Sequence, residues 1–217
     1  MTDVRSDVFL ALGTATLSDA MDRLGIEGTC LGIAPIDPDF TLVGRARTVR
    51  YGPCGTQKGT VGDFIDDFSA GTVAVLDNAG RPDCTVWGDI LTEYAHRNAL
   101  AGTVIDGVCR DGALSRSLRY PVFSRGRYMR TGKDRVQVEE LDGPVVIGGV
   151  RVVPGDLLVG DGDGVVVVPA PHEQQVFEVA VSIDEREEKI REAVRSGSPL
   201  AAARERFGYH SLQTRGA

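Results

Sequence analysis

TVAVLDNAG (72–80) and WGDILTEYAHRNALAGTVIDGVCRDGA (87–113) are the stretches whose reading decides the fold. In the first, Val73, Ala74, Val75 and Leu76 form an unbroken apolar run, the pattern of a buried strand, and it leads into a loop at Asp77 and Asn78. In the second, Leu91, Tyr94, Ala95 and Ala99 share one face of a helix that starts at Asp89 and reads through Ala99, with Gly102 just past its end. TVIDGV (103–108) is the next strand. Strand, loop, helix, strand at this spacing predicts a parallel crossover unit, and with it an α/β fold.

Upstream, TATLSDAMDRLG (14–25) opens on hydroxyl residues able to cap a helix, carries Leu17, Ala20, Met21 and Leu24 at helical spacing, and stops at Gly25. VGRARTVRY (43–51) fits a strand loosely. Downstream the pattern changes. In PVVIGGVRVVPGDLLVGDGDGVVVVPA (144–170), short β-branched runs alternate with Gly-Gly, Pro-Gly-Asp and Gly-Asp-Gly turns, which predicts antiparallel hairpins. A long helix over about 171–196 follows, with Val176, Val179, Ala180, Ile183, Ile190 and Val194 in one stripe.

The 217 residues read as one domain, 1–217, with 27 glycines favouring many tight turns over a helical bundle. No apolar run approaches the roughly 18 residues that span a bilayer, and the first residues lack the basic-then-apolar order of a signal peptide, so a cytoplasmic location is expected. Cys30, Cys54, Cys84 and Cys109 form no CxxC pair and read as buried thiols. The formal charge of −7, without a basic block, disfavours nucleic acid as a partner. No GxSxG, P-loop or GxGxxG element is present, and His96, His172 and His210 show no ligand spacing.

Two features point to chemistry. Arg110 and Asp111 follow directly on the strand 103–108, and Asp89 opens the preceding helix, so a guanidinium, carboxylates and a helix N-terminus can converge on one crevice suited to an anion and a hard metal ion. The same residues also suit a plain helix cap and a solvated turn. Glu187 projects about 40° from Ile183 on the apolar stripe of the last helix, where an unpaired carboxylate is costly. It therefore calls for an arginine, a metal or a subunit boundary, whether as an interfacial salt bridge or in a functional role.

Asp89, twenty intervening residues and then Arg110-Asp111 resemble the D-x20-R-D motif of the 4-hydroxy-4-methyl-2-oxoglutarate aldolases, which share a fold with the regulator of ribonuclease activity A (RraA) proteins. LSDAMDRLG (17–25), VGRARTV (43–49) and 145–169 extend the likeness over most of the chain. The resemblance implies a swivelling β/β/α three-layer domain with flanking N- and C-terminal helices, assembled as a homotrimer or a dimer of trimers, with the C-terminal helix at a subunit interface. It implies Mg²⁺ or Mn²⁺ held by Asp111, by Asp89 through water, and by Glu187 from the neighbouring subunit. Arg110 and Asp89 would be catalytic. Arg110, Gly88 and the backbone N–H groups of Ile90 and Leu91 would bind a small 2-oxo acid. The activity implied is class II aldol cleavage to pyruvate, with oxaloacetate decarboxylation at the same site. The alternative is a non-catalytic regulator that binds ribonuclease E. FSRGRYMRTGKDRVQVEELDG (123–143) departs from the aldolase pattern: Arg130, Lys133 and Arg135 would bind a second carboxylate or sugar-acid hydroxyls, or else pair with Glu139, Glu140 and Asp142.

Overall fold

In the computed structural model, which describes residues 4–56 and 59–209, the elements in chain order are α1 (Val4–Leu24), β1 (Ala34–Pro35), β2 (Leu42–Pro53), β3 (Thr72–Thr85), α2 (Asp89–Arg97), β4 (Gly102–Cys109), α3 (Gly112–Leu118), β5 (Val122–Arg127), β6 (Val136–Leu141), β7 (Val145–Ile147), β8 (Val150–Val152), β9 (Leu157–Asp161), β10 (Gly164–Val168), α4 (Glu173–Arg195) and α5 (Leu200–Arg206). Short 3₁₀ turns occupy Asp63–Asp67 and Ala170–His172. Burial of every residue of β4, and of Val73 to Leu76 in β3, follows from their place at the centre of the main sheet, whose order is β1-β5-β4-β3-β2-β9-β10. The pair β3/β4 is parallel, as the crossover pattern predicts, and so are β2/β3 and β4/β5; β9/β10 and β7/β8 are the expected antiparallel hairpins. The long β2 serves two partners on its other edge, β9 along its first half and β6 along its second.

Each face of this sheet buries a different layer. Leu76, Ile105 and Val49 pack with Trp87, Ala95 and Tyr120 under α2 and α3, while Val75, Val104 and Phe123 pack with Val145, Ile147, Val150 and Val152 of the β7/β8 hairpin. The result is a β/β/α arrangement. The hairpin is tied down by two strand carboxylates: Gly148 N–H donates to Asp106 at 2.9 Å and Val146 N–H to Asp77 at 3.1 Å. Asp106 itself is buried and paired with Arg125. α1 and α4 flank the sheet, closing a third apolar cluster over β9 and β10 through Phe9, Leu17, Val176 and Ile183.

Several local expectations need correction. The first helix begins at Val4 rather than Thr14, and it breaks at Gly13, whose φ of 76° and ψ of 161° are non-helical. The second segment is capped by a distant residue: Asp161 accepts from Thr14 N–H at 2.8 Å and from its hydroxyl at 2.7 Å. β3 does not end at Asp77. It continues to Thr85 through two irregularities, between Asp77 and Arg81, where Ala79 and Gly80 take positive φ, and between Arg81 and Thr85. α2 stops at Arg97, two residues early, where Asn98 caps it and Ala99 turns left-handed. Val194 is exposed despite its place in the helical stripe, and α5 carried no distinct signal in the sequence. Cys30, Cys84 and Cys109 are buried as expected, but Cys54 is only half-buried. Burial, reinforced by Asp106, pushes the Cys30 thiol up to about 12, which removes it as a nucleophile.

Candidate active site

Both crossovers leave the sheet at the carboxyl ends of parallel strands, and there the candidate residues meet. β3 ends at Thr85 and the chain enters α2 through Trp87 and Gly88; β4 ends at Cys109 and the chain enters α3 through Arg110 and Asp111. Arg110 N–H donates to the Trp87 carbonyl at 3.1 Å, which stitches the two turns together. Asp111 holds the N-cap position of α3 in the left-handed conformation (φ 57°, ψ 30°), yet its side chain makes no capping bond to that helix. The carboxylate turns instead toward the start of α2, where Oδ2 accepts from Asp89 N–H at 3.3 Å and lies 3.2 Å from Arg110 Nε. A residue in an uncommon backbone region that declines its local cap is the kind of arrangement that function maintains.

Gly88 makes this approach possible for a steric reason. A Cβ there would stand 2.8 Å from Asp111 Oδ2 and 3.1 Å from Arg110 Nε. The Arg110 Nε atom is buried and, despite its proximity to Asp111, has no aligned hydrogen-bond acceptor. About two-fifths of the Asp111 side chain remains exposed. Asp89 is exposed at the first turn of α2, where its Oδ1 accepts from Ile90 N–H at 2.8 Å. That N–H is therefore occupied within the chain. Leu91 faces a cleft of about 750 Å³ that Gly88, Asp89, Ile90 and Arg110 also line.

Glu187 is not brought to this place within one chain. It sits on α4, half-buried and paired with Arg191 at 3.3 Å, so in the protomer the arginine meets the need that its position creates. Among the described residues no group of three or more His, Cys, Asp or Glu side chains is positioned to hold a metal. Asp89 and Asp111 are the two carboxylates that the turn after β4 and the start of α2 bring near one another. Two hard carboxylates fit Mg²⁺ or Mn²⁺, which keep several waters and need few protein ligands.

The charged segment is resolved by its contacts. Glu139 and Glu140 are both held by Arg50, and Asp142 by Arg47, so the expected pairs with Arg130, Lys133 and Arg135 do not form. Arg130 lies over the Tyr128 ring, and Arg135 donates to the Thr131 and Lys133 carbonyls. Lys133 lines the cleft. The opposite wall, Gly59 to Asp66, escaped the sequence reading because it carries no periodicity; there a hydrogen bond to Asp66 pushes the Tyr94 phenol up and keeps it protonated. His96 and His172 are exposed at helix ends, and His210 lies outside the described residues.

A family model described as RraA-like, Aldolase/RraA, matches residues 14–167, and the chain belongs to that family. Among curated relatives, Protein DlpA of Legionella pneumophila is 42% identical over 199 residues, covering 90% of this chain; the chain spans only 32% of that protein's length. A Halalkalibacterium halodurans protein named "Putative 4-hydroxy-4-methyl-2-oxoglutarate aldolase" is 33% identical over 89% of each chain. Among solved structures, an uncharacterized protein from Pseudomonas syringae superposes with a TM-score of 0.86 at 46% identity, over 92% of this chain and 96% of the other. Streptomyces coelicolor RraAS2, titled an unusual member of the RNase ES inhibitor RraA family, gives 0.77 at 29% identity, over 86% and 95%. Among the described residues no helix is long and apolar enough to cross a membrane.

Proposed function

We propose that this chain is a divalent-metal-dependent carbon–carbon lyase that cleaves a 4-hydroxy-2-oxo acid to pyruvate and a second carbonyl compound. The observation that carries the reading is the Asp111 carboxylate, which leaves its own helix uncapped to stand over the N-terminus of α2 beside the unsatisfied Arg110 Nε. The likeness to a relative named as a 4-hydroxy-4-methyl-2-oxoglutarate aldolase supports the same reaction class. Asp111, with Asp89 through water, would hold Mg²⁺ or Mn²⁺, and Glu187 of a neighbouring subunit would complete the set in a homotrimer or dimer of trimers. When bound, the metal supplies Lewis-acid polarisation of the 2-oxo acid.

The chain's own groups account for the remaining steps. The Arg110 guanidinium, partly exposed and lining the cleft, would place positive charge where the 2-oxo oxygen becomes an enolate oxygen. The substrate carboxylate docks at the α2 N-terminus, where it competes with Asp89 Oδ1 for Ile90 N–H and also meets Leu91 N–H. Asp89 then receives the C4 hydroxyl proton; the C3–C4 bond breaks, a carbonyl forms at C4, and the electron pair enters the pyruvate enolate. Protonation of that enolate at C3 gives pyruvate. Oxaloacetate decarboxylation reaches the same enolate by loss of CO₂, so the site performs both. The same reading has the protein acting on small soluble acids in the cytoplasm.

Incubation with 4-hydroxy-4-methyl-2-oxoglutarate or oxaloacetate and Mg²⁺ or Mn²⁺ should release pyruvate, and chelator should abolish it. Absence of pyruvate from both acids with either metal rejects the proposal. Similarity to RraAS2 supports a second reading, a non-catalytic regulator of ribonuclease E, which would inhibit that enzyme while yielding no pyruvate.

A further inference from the structure

The formal charge of −7 hides a segment of the opposite sign. Residues 110–135 hold seven arginines and Lys133 against only Asp111 and Asp134, whereas the whole chain has 31 acidic and 24 basic side chains. The fold does not scatter them. Tyr128 N–H donates to the Cys109 carbonyl at 3.0 Å, Thr85 N–H to the Arg130 carbonyl at 2.9 Å and Gly132 N–H to the Thr85 carbonyl at 2.8 Å, so the stretch after β5 runs across the carboxyl ends of β4 and β3. From those same ends the chain enters Asp89, Arg110 and Asp111. Next to Asp111, Arg116 of α3 and Arg127 of β5 come together over one glycine: a Cβ on Gly112 would stand 3.4 Å from Arg116 Nη1 and 3.8 Å from Arg127 Cδ.

Three of these arginines meet no acid. Arg125 is held by buried Asp106, and Arg135 by the Thr131 and Lys133 carbonyls, but Arg116, Arg127 and Arg130 are exposed and form no ion pair among the described residues. Arg130 lies over the Tyr128 ring, 5.8 Å from its centre, which fixes its place without neutralising it. Like charges gathered without counter-charges raise one another's energy, and a passing anion relieves them. The opposite lip of the cleft has the contrary sign, since Asp63 and Asp66 line it. An anion nearing the cleft is therefore repelled from the Asp63 and Asp66 side and attracted from the side of α3 and β5.

We propose that Arg116, Arg127 and Arg130 form an electrostatic entry path that draws an anionic ligand to the Asp111 site from the side of α3 and β5, setting its rate of arrival rather than holding it once bound. This rests on the proposed function only in taking the ligand of that site to be an anion. A chain of net charge −7, whose candidate site carries two carboxylates, would otherwise slow such a ligand, and a local field of the right sign raises association rates by about 10- to 10³-fold. Stopped-flow association of the dianion oxalate and the monoanion oxamate in Mg²⁺, read by the fluorescence of Trp87, the single tryptophan, measures arrival without turnover. In about 20 mM salt, Arg127→Gln should slow oxalate about threefold, and neutralising all three arginines about tenfold, with a smaller effect on oxamate and dissociation within about twofold. The differences should vanish in about 0.5 M salt, where the Debye length falls to about 4 Å. Arg151→Gln removes the same charge from the exposed side of β8, on the hairpin packed against the other face of the sheet, and should leave both rates unchanged. Failure of oxalate to bind, an equal slowing in Arg151→Gln, a loss that falls on dissociation instead of association, or a salt response independent of ligand charge overturns the proposal. Pyruvate release from oxaloacetate by the unaltered chain tests the lyase reading separately: no pyruvate with the association pattern intact rejects the reaction and leaves the entry path standing.

Discussion

In the proposed lyase the chemistry turns on Asp111, and its conformation supports that role. An aspartate at an N-cap ordinarily gains about 1 kcal/mol by accepting from its own helix, and here that bond is absent while the backbone takes a left-handed turn. Asp111→Asn keeps the shape and removes the charge that a hard cation needs. Metal-dependent pyruvate formation should fall by at least about 10²-fold with little change in melting temperature; near-normal turnover at limiting Mg²⁺ would reject the metal assignment. Arg110→Ala should lower kcat about 10²- to 10³-fold, and Arg110→Lys should restore little of it, since an ammonium lacks the planar fork. A rise in KM at unchanged kcat would instead assign Arg110 to binding alone. Gly88→Ala tests the geometry: a methyl 2.8 Å from Asp111 Oδ2 must displace the carboxylate, so metal affinity measured by calorimetry should drop in a protein that still folds. None of these contacts is visible in the D-x20-R-D spacing, which places the three residues in neighbouring crossovers but does not say that Asp111 turns away from its own helix.

At the scale of elements, the parallel crossover from β3 to β4 was legible because both strands are buried on both faces, and burial writes an unbroken apolar run into the sequence; the second crossover, through the short α3 to β5, carried no such signal. α1 was half legible for the converse reason. Its cap is Asp161, 147 positions away, and a local pattern holds no record of a partner so distant. Removing that cap by Asp161→Ala should cost about 1 kcal/mol, more if the two bonds to Thr14 reinforce each other, and should lower the melting temperature by a few degrees. Thr14→Val, which deletes only the hydroxyl, should cost less, because Thr14 N–H keeps its acceptor. Equal losses in the two variants would show that the backbone bond contributes nothing. The charged loop 123–143 was ambiguous on similar grounds: its acids are neutralised by Arg47 and Arg50 of β2, and nothing within the loop could have announced them.

For the whole molecule, the proposed function has a neighbouring subunit complete the pair of carboxylates. Glu187 lies on the flanking helix α4, tied to Arg191, which also contacts Asp184 and Glu188. If the site is shared between subunits, as proposed, Asp111→Ala and Glu187→Ala chains should each be inactive alone and should recover part of the activity when co-assembled, because some boundaries then pair an intact Asp111 with an intact Glu187. Mixed oligomers verified to exchange subunits yet still inactive would confine Glu187 to its own protomer.

By itself the sequence determined the α/β class, the parallel crossover from β3 to β4, the antiparallel hairpins, and Asp89, Arg110 and Asp111 as the residues of interest, because each is written in periodicity or in spacing along that crossover. Tertiary structure alone decided that Asp111 faces α2, that a side chain at Gly88 would crowd Asp111, and that Lys133 rather than Arg130 or Arg135 lines the cleft. Each of these depends on which groups meet across the fold, and a contact between segments far apart in the chain leaves no periodic trace in either of them.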